Sequence, residues 1–384
     1  MKKIKIAHVQ LLPLLTGVQN VTISELDRLS EKHYSKTIIC QSAGELTLKA
    51  SKLNISTKLI PDLVREISPV KDFRALISLY KFFKKEEFDI VHTHSSKTGL
   101  LGRLAARMAG VPLVIHTVHG FPFSSAKNKI IYMFYVFMEF LGGRLSHKVI
   151  CLHEIDKKIC INKLKLSENK LVVLPNGVNK NIFHPSDSSS LNLIRSELKL
   201  SKDKIIIGMI GRLWEQKNPK ALVDAALSIL SNRNDVVFVL VGEGELRASL
   251  EAMSDSHSDN IKFLGWRSDT ADLLRSFDIF SLPSLWEGMP LAIIEAMATG
   301  LPCVVSNIPG NNHLIENGKN GFLFELTHSQ DLVNSLLKLI DDEVLRKSMG
   351  NYSLELVNNF YDIDSRVNKI NTLYINELKI RGEI

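Results

Sequence analysis

The chain alternates short apolar runs with amphipathic stretches, stops at a turn-rich break, and then begins the same alternation again. That doubled rhythm limits the open folds more than any other feature. In the first half, apolar runs near 4–9, 37–40, 89–93, 112–116, 147–151 and 171–174 predict strands. Stretches near 18–32, 70–86, 97–109, 128–141 and 154–160 predict helices. Strand-like runs such as Ile4 to Val9, each followed by a helical pattern, indicate βαβ units and a parallel sheet. The break comes at Leu174-Pro175-Asn176-Gly177-Val178, and Pro185 with the serine-rich stretch to Ser190 reads as an exposed linker. Strand patterns resume at Lys204–Gly211, Asp235–Val241, Ile261–Leu264, Asp278–Leu282 and Pro302–Val305.

One hydrophobic core sustains roughly 250–300 residues, so a chain of 384 residues calls for two domains. The expected architecture is α/β, with two Rossmann-like, doubly wound parallel sheets in tandem. The first domain is expected over 1–185 and the second over 186–362. A terminal segment, 363–384, carries an amphipathic helix from Ser365 to Ile380 that is expected to pack back on the first domain. Tandem sheets of this kind leave a cleft, and their ligands bind outside the carboxyl ends of the strands.

Charge separates the two halves. Residues 1–180 hold 28 Lys+Arg against 14 Asp+Glu, and the remainder holds 20 against 27. A basic first half suits an anionic membrane face. Nucleic acid is not expected as a partner, since no recognition helix, zinc spacing or aromatic-interleaved basic stretch is present. The start of the chain lacks the apolar core and cleavage site of a signal peptide, and the longest apolar stretch, Ile130 to Leu141, is shorter than the ~20 residues of a membrane span. The expected location is therefore the cytoplasm. The four cysteines, Cys40, Cys151, Cys160 and Cys303, read as reduced and buried.

Chemistry concentrates in two loops of the second half. From Pro283, the chain reads through Glu287, Gly288, Met289, Pro290 and Leu291 to Glu295, and on to Val305. Glu287 ends a loop after a strand, Pro290 suits the first position of a helix, and Glu295 follows within that helix. Amides at Gly288, Met289 and Leu291 form an anion site at the helix start, and the neighbouring carboxylates can accept hydrogen bonds from sugar or ribose hydroxyls. The second loop, Gly211-Arg212 to Lys217-Asn218-Pro219, places two cations between a strand end and a helix. Gly211 lets a ligand approach the backbone. Arg212 can grip a phosphate bidentately, and Lys217 adds a mobile point charge. Together they suit a diphosphate leaving group whose charge grows as a glycosidic bond breaks.

In the first half, Gly17 sits at a strand-to-helix turn, open to close approach by a ligand. His92, His94, His116, His119 and His153 cluster in sequence at strand ends. No Cys or carboxylate completes a ligand set with them, so no metal is expected, and His119 is read as a hydrogen-bonding residue facing a donor sugar. Gly242-Glu243-Gly244 has Arg247 where a dinucleotide fingerprint needs its third glycine. Asp362-Ile363-Asp364 is read as helix capping and not as a metal motif.

With these residues assembled, the chain resembles the retaining glycosyltransferases of family 4, which have the GT-B fold. The Glu–seven residues–Glu motif of that family is matched by Glu287 and Glu295, its glycine-Arg…Lys element by Gly211, Arg212 and Lys217, and its Asn-Gly-Val step by Asn176, Gly177 and Val178. Its first glycine pair is reduced to Gly17, with Thr16 in place of the other. The resemblance implies that Glu295 holds the nucleotide ribose, Glu287 the donor sugar, and Arg212 and Lys217 the diphosphate. Trp266 is placed near the base by position alone. It also implies no metal and no cofactor beyond the nucleotide-diphosphate sugar, with UDP the expected nucleotide.

The run from His92 to Arg103, followed by His116 to Phe123, is similar to bacterial members that build O-antigen, capsule or exopolysaccharide. Their acceptor is commonly a sugar on undecaprenyl diphosphate. Lys127–Lys129 with 130–141 then reads either as a surface that docks on the cytoplasmic face of the inner membrane or as a buried helix. A UDP-sugar 2-epimerase and a non-catalytic nucleotide-sugar-binding protein are the alternatives.

Overall fold

The computed structural model describes residues 2–126, 128–185, 195–198, 200–201 and 203–384. The chain forms two compact units, one of Met1–Asn176 with Ile363–Ile384 and one of Gly177–Asp362.

In the first unit the chain runs β1 (Ile4–Val9), α1 (Gly17–Arg28), β2 (Tyr34–Cys40), α2 (Glu45–Lys52), β3 (Ser56–Leu59), α3 (Pro69–Glu86) and β4 (Ile90–Thr93). It continues through α4 (Ser96–Ala109), β5 (Leu113–Val118), α5 (Lys129–Leu145), β6 (Lys148–Cys151), α6 (Glu154–Asn162) and β7 (Leu171–Val173). These strands form one parallel sheet in the order β3-β2-β1-β4-β5-β6-β7. The order reverses between β1 and β4, the switch point at which open α/β sheets bind ligands.

The second unit has the strands β8 (Ile205–Ile210), β9 (Val236–Val241), β10 (Ile261–Gly265), β11 (Ile279–Leu282), β12 (Cys303–Ser306) and β13 (Gly321–Phe324). They are parallel in the order β10-β9-β8-β11-β12-β13, with the reversal between β8 and β11. All six residues of β9, Val-Val-Phe-Val-Leu-Val, are buried, as helices on both faces of a parallel sheet require.

The chain passes from the first unit to the second at Asn176 and Gly177, earlier than the boundary at 185 read from the linker. The residues just beyond the break belong to the second unit because Val178 pairs with Asp362 and its amide donates to the Tyr361 carbonyl at 2.8 Å. The linker beyond Pro185 lies outside the described residues.

The last helix, Ile363–Ile380, buries Ile363, Val367, Ile370, Tyr374 and Leu378 in the core shared with β1, β2 and α1. Each such side chain contributes about 1.5–3 kcal/mol. Arg366 anchors the helix: its Nε donates to Glu25 Oε1 at 2.7 Å, and Nη1 donates to the carbonyls of Leu174 and Pro175, both at 2.6 Å. Asp362 pairs with Lys180 at 3.4 Å and Asp364 with Arg28 at 2.6 Å, so the two aspartates face different partners.

Candidate active site

In the second unit, both chemical loops leave the strands that flank the switch point. Gly211 and Arg212 follow β8, and Glu287 follows β11. The two loops are fastened together: the Leu285 amide donates to Gln216 O at 2.8 Å, and Gln216 Nε2 donates to Trp286 O at 2.9 Å.

That fastening brings Lys217 Nζ to 2.5 Å from Glu287 Oε1, with 18% and 7% of their side chains exposed. Ser284 Oγ donates to the same carboxylate oxygen at 2.7 Å. Ser284 is held in turn, since its carbonyl accepts from Ser306 Oγ at 2.5 Å and Asn311 Nδ2 donates to Ser306 Oγ at 3.1 Å. Three buried polar side chains thus stand behind Glu287. Arg212 is exposed, lies 4.4 Å over the Trp214 ring, and has no carboxylate partner among the described residues. It is free to take a phosphate.

Gly211 itself meets no steric demand, since a Cβ there would make only ordinary contact with the Lys217 side chain. The demanding glycine is Gly242, which stands at φ +139 and where a Cβ would fall 2.1 Å from Gly211 O. The Gly242-Glu243-Gly244 turn therefore buttresses the Gly211–Leu213 loop. Sequence reasoning set this pair aside, although a Gly-x-Gly directly after a strand was the available signal.

Pro290 is extended, at ψ 123, and caps a helix of Leu291–Ala298, one residue later than its expected role as the first helical residue. Gly288 and Met289 are buried, each with a partner within the chain, and no side chain caps the first turn of the Leu291 helix. Glu295 lies within this helix. Its carboxyl has no hydrogen-bond partner among the described residues, and desolvation pushes its pKa up to about 7 although part of the residue remains accessible. Trp266 follows Gly265 at the end of β10 and is 62% exposed.

In the first unit, Gly17 opens α1 and a Cβ there would meet nothing within 4 Å. The histidines gather around the switch point. His8 on β1 and His92 on β4 are register partners, and His94 and His119 follow the ends of β4 and β5. His8 Nδ1 lies 2.8 Å from His94 Nε2, and His94 Nδ1 lies 3.1 Å from His119 Nε2. His92 is engaged at both nitrogens, with Tyr374 Oη at 2.6 Å and Thr117 Oγ1 at 2.8 Å. Burial lowers the pKa values of His8 and His119 to about 3 and holds His92 and His94 well below the usual range. His116 is buried against Thr93 Oγ1 at 2.9 Å, and His153 caps α6 by accepting from the Asp156 amide.

Ligating atoms of His8, His92 and His94 lie within 4.8 Å of one another. His92 and His94 have both ring nitrogens on protein partners, so a metal would have to displace existing hydrogen bonds. Sequence reasoning missed His8, which is a strand residue among apolar neighbours.

The helix α5 exposes Ile130, Ile131, Met133, Phe134, Phe137 and Leu141, and buries Glu139, Gly142 and Gly143. These side chains face outward while Tyr132, Tyr135, Val136 and Phe140 pack against the core around Phe121, Phe123 and Cys160, so 130–141 is a half-buried helix with one exposed apolar side. Glu139 instead faces the buried Arg103 of α4 at 4.0 Å. No helix among the described residues is long and apolar enough to cross a membrane.

Two family models match the chain: Glycosyltransferase Family 4 over residues 15–181 and Glycosyl transferases group 1 over residues 192–355. The UDP-Gal:alpha-D-GlcNAc-diphosphoundecaprenol alpha-1,3-galactosyltransferase of Escherichia coli is 47% identical over 378 residues, 97% of each chain. The N,N'-diacetylbacillosaminyl-diphospho-undecaprenol alpha-1,3-N-acetylgalactosaminyltransferase of Campylobacter jejuni is 28% identical over 80% of this chain and 82% of its own. The crystal structure of Anabaena HepE in complex with UDP and glucose matches with a TM-score of 0.85 over 97% of this chain and 100% of that one, and at 18% identity this likeness shows the fold alone. Loops, switch points and relatives agree: the chain belongs to glycosyltransferase family 4 and has the GT-B fold.

Proposed function

We propose that this enzyme transfers galactose, with retention, from UDP-galactose to N-acetylglucosamine carried on undecaprenyl diphosphate, in the assembly of a bacterial surface polysaccharide. The observation that carries the chemistry is the Lys217–Glu287 pair beside the open Arg212 at the β8/β11 switch point. The E. coli relative, 47% identical along 97% of each chain, supplies the donor and acceptor.

In this reading Glu295 accepts from the ribose hydroxyls, Glu287 from the sugar hydroxyls, and Trp266 lies by the base. In the second unit Gly211 gives a phosphate room and the Leu291 helix start gives it amide donors, and in the first unit Gly17 leaves the start of α1 open to a ligand. His119 hydrogen-bonds the donor sugar or its diphosphate. The bond between the anomeric carbon and the diphosphate oxygen breaks as the acceptor hydroxyl attacks from the same face. The hydroxyl proton passes to the departing diphosphate. Arg212 and Lys217 neutralise the charge that develops there, so neither a metal nor a further cofactor is required.

The exposed stripe of α5 fits peripheral docking on the anionic cytoplasmic face of the inner membrane, where a lipid-linked acceptor resides. The basic balance of the first half, 28 against 14, supports it. Lys127, part of that surface in the sequence, lies outside the described residues.

The test is product formation from UDP-galactose and a synthetic GlcNAc-diphospho-lipid in EDTA. Transfer of galactose with the anomeric configuration kept supports the reading. UDP release that does not depend on the acceptor would point to an epimerase, and binding without turnover to a sensor.

A further inference from the structure

The histidine chain of the first unit ends inside the core, and that buried end decides its direction. Each of its links, His8 Nδ1 to His94 Nε2 at 2.8 Å and His94 Nδ1 to His119 Nε2 at 3.1 Å, needs one N–H and one lone pair. A neutral imidazole has one of each, so only two arrangements satisfy both links. In the first, all three rings carry the proton on Nδ1. His8 then points a lone pair into the core, and His119 presents an N–H outward. In the second, all three carry it on Nε2. His8 then buries an N–H, and His119 presents a lone pair.

His8 Nε2 is buried and has no hydrogen-bond partner among the described residues. Among buried backbone groups an orphaned N–H is the rarer defect, and by analogy a bare ring nitrogen at His8 Nε2 is favoured over an N–H with no acceptor, which selects the first arrangement. Protonating a ring to a cation is opposed by burial throughout the chain, and at His119 also by the nearby Arg366 cation. His92 keeps the chain in line, stacked on His94 with ring centroids 4.4 Å apart and pinned by Tyr374 of the terminal helix at 2.6 Å.

We propose that His8 and His94 are positioning residues that lock His119 in the Nδ1–H tautomer, so that it acts toward substrate as a hydrogen-bond donor and not as a base. The oxygen it addresses rests on the glycosyltransferase reading above, whereas the tautomer is a property of the protein without ligand. An N–H donor can hydrogen-bond a sugar hydroxyl or a phosphate oxygen of a substrate, whereas a lone pair would repel the phosphate oxygen.

The test is nitrogen-15 correlation spectroscopy of the whole protein with labelled histidine, with the His119 signals identified by their loss in His119→Gln. Protonated Nδ1 and bare Nε2 at His8, His94 and His119 across neutral pH are expected. Protonated Nε2 at His119 overturns the proposal. In turnover with UDP-galactose, His94→Gln and His119→Gln should each lower kcat/KM about tenfold, and the double variant should fall no further. Multiplied losses in the double variant mean that His94 does not act through His119, which overturns the positioning role. Full turnover in His119→Gln with the Nδ1–H tautomer observed refutes the substrate contact alone and leaves the lock standing.

Discussion

Lys217 Nζ and Glu287 Oε1 lie 2.5 Å apart although their residues are seventy positions apart in the chain. In the proposed function this pair divides its work, Lys217 toward a phosphate and Glu287 toward the sugar. The ammonium can turn to a phosphate while Ser284 continues to hold the carboxylate at 2.7 Å. Lys217→Ala should therefore lower kcat at saturating donor by about a hundredfold or more, the scale for losing one preorganised charge at a leaving group. Steady-state turnover measures it, and a kcat within a few-fold of wild type would remove Lys217 from the leaving-group role.

Glu295 makes a pH prediction. Its carboxyl is raised to about 7, so below that value it is mostly protonated in the empty protein. Ribose hydroxyls that donate to it favour the carboxylate, so affinity for UDP-galactose should rise as pH climbs through about 7. Below that range, binding should release a proton. UDP-galactose is the ligand to use, because its diphosphate has no proton to lose there. Calorimetry in buffers of different ionisation enthalpy reads the proton directly, and Glu295→Gln should flatten the profile. A wild-type profile already flat from pH 6 to 8 would contradict the role.

Most of both sheets, the two cation–carboxylate loops and the terminal helix were legible because buried parallel strands leave continuous apolar runs and loops at strand ends leave glycine and charge, although β13 was not read. Other parts left no such mark. The edge strand β3, Ser56-Thr57-Lys58-Leu59, is exposed at every residue and so lacks an apolar run. His8 looks like an ordinary strand residue until the β1–β4 register sets it opposite His92. The Ser284–Ser306–Asn311 support of Glu287 joins the loop after β11 to the end of β12 and the segment just beyond it, and nothing local in serine or asparagine announces it. The unit boundary at Asn176 depends on a pairing between Val178 and Asp362 that only the folded chain displays.

The α5 stripe predicts a separable membrane defect. Ile130 is 83% exposed, and Met133 and Phe137 are each more than half exposed. Replacing all three with serine should leave the fold intact, because their side chains contribute little to the core. Sedimentation with vesicles containing anionic lipid should fall by tenfold or more, while turnover on a short-chain, soluble acceptor stays near wild type. Undiminished vesicle binding would place the membrane contact elsewhere or nowhere.

The buried histidines predict acid instability with a definite sign. His8 is held at about 3 by desolvation, and His92 and His94 well below the usual range by desolvation first and then by the neighbouring histidines. In the unfolded chain each takes up a proton near 6.5, whereas the folded chain refuses it. The stability they confer is complete above about pH 6.5 and is lost as pH falls from there toward 3. Urea unfolding between pH 8 and 5 should show midpoints dropping below about 6.5, with net proton uptake on unfolding. His8→Phe removes one titrating ring and so should take up less, giving a shallower slope even if its stability at pH 8 is lower. A slope equal to wild type would mean that His8 already carries a proton in the folded protein, and the all-neutral histidine chain would then be wrong at its buried end.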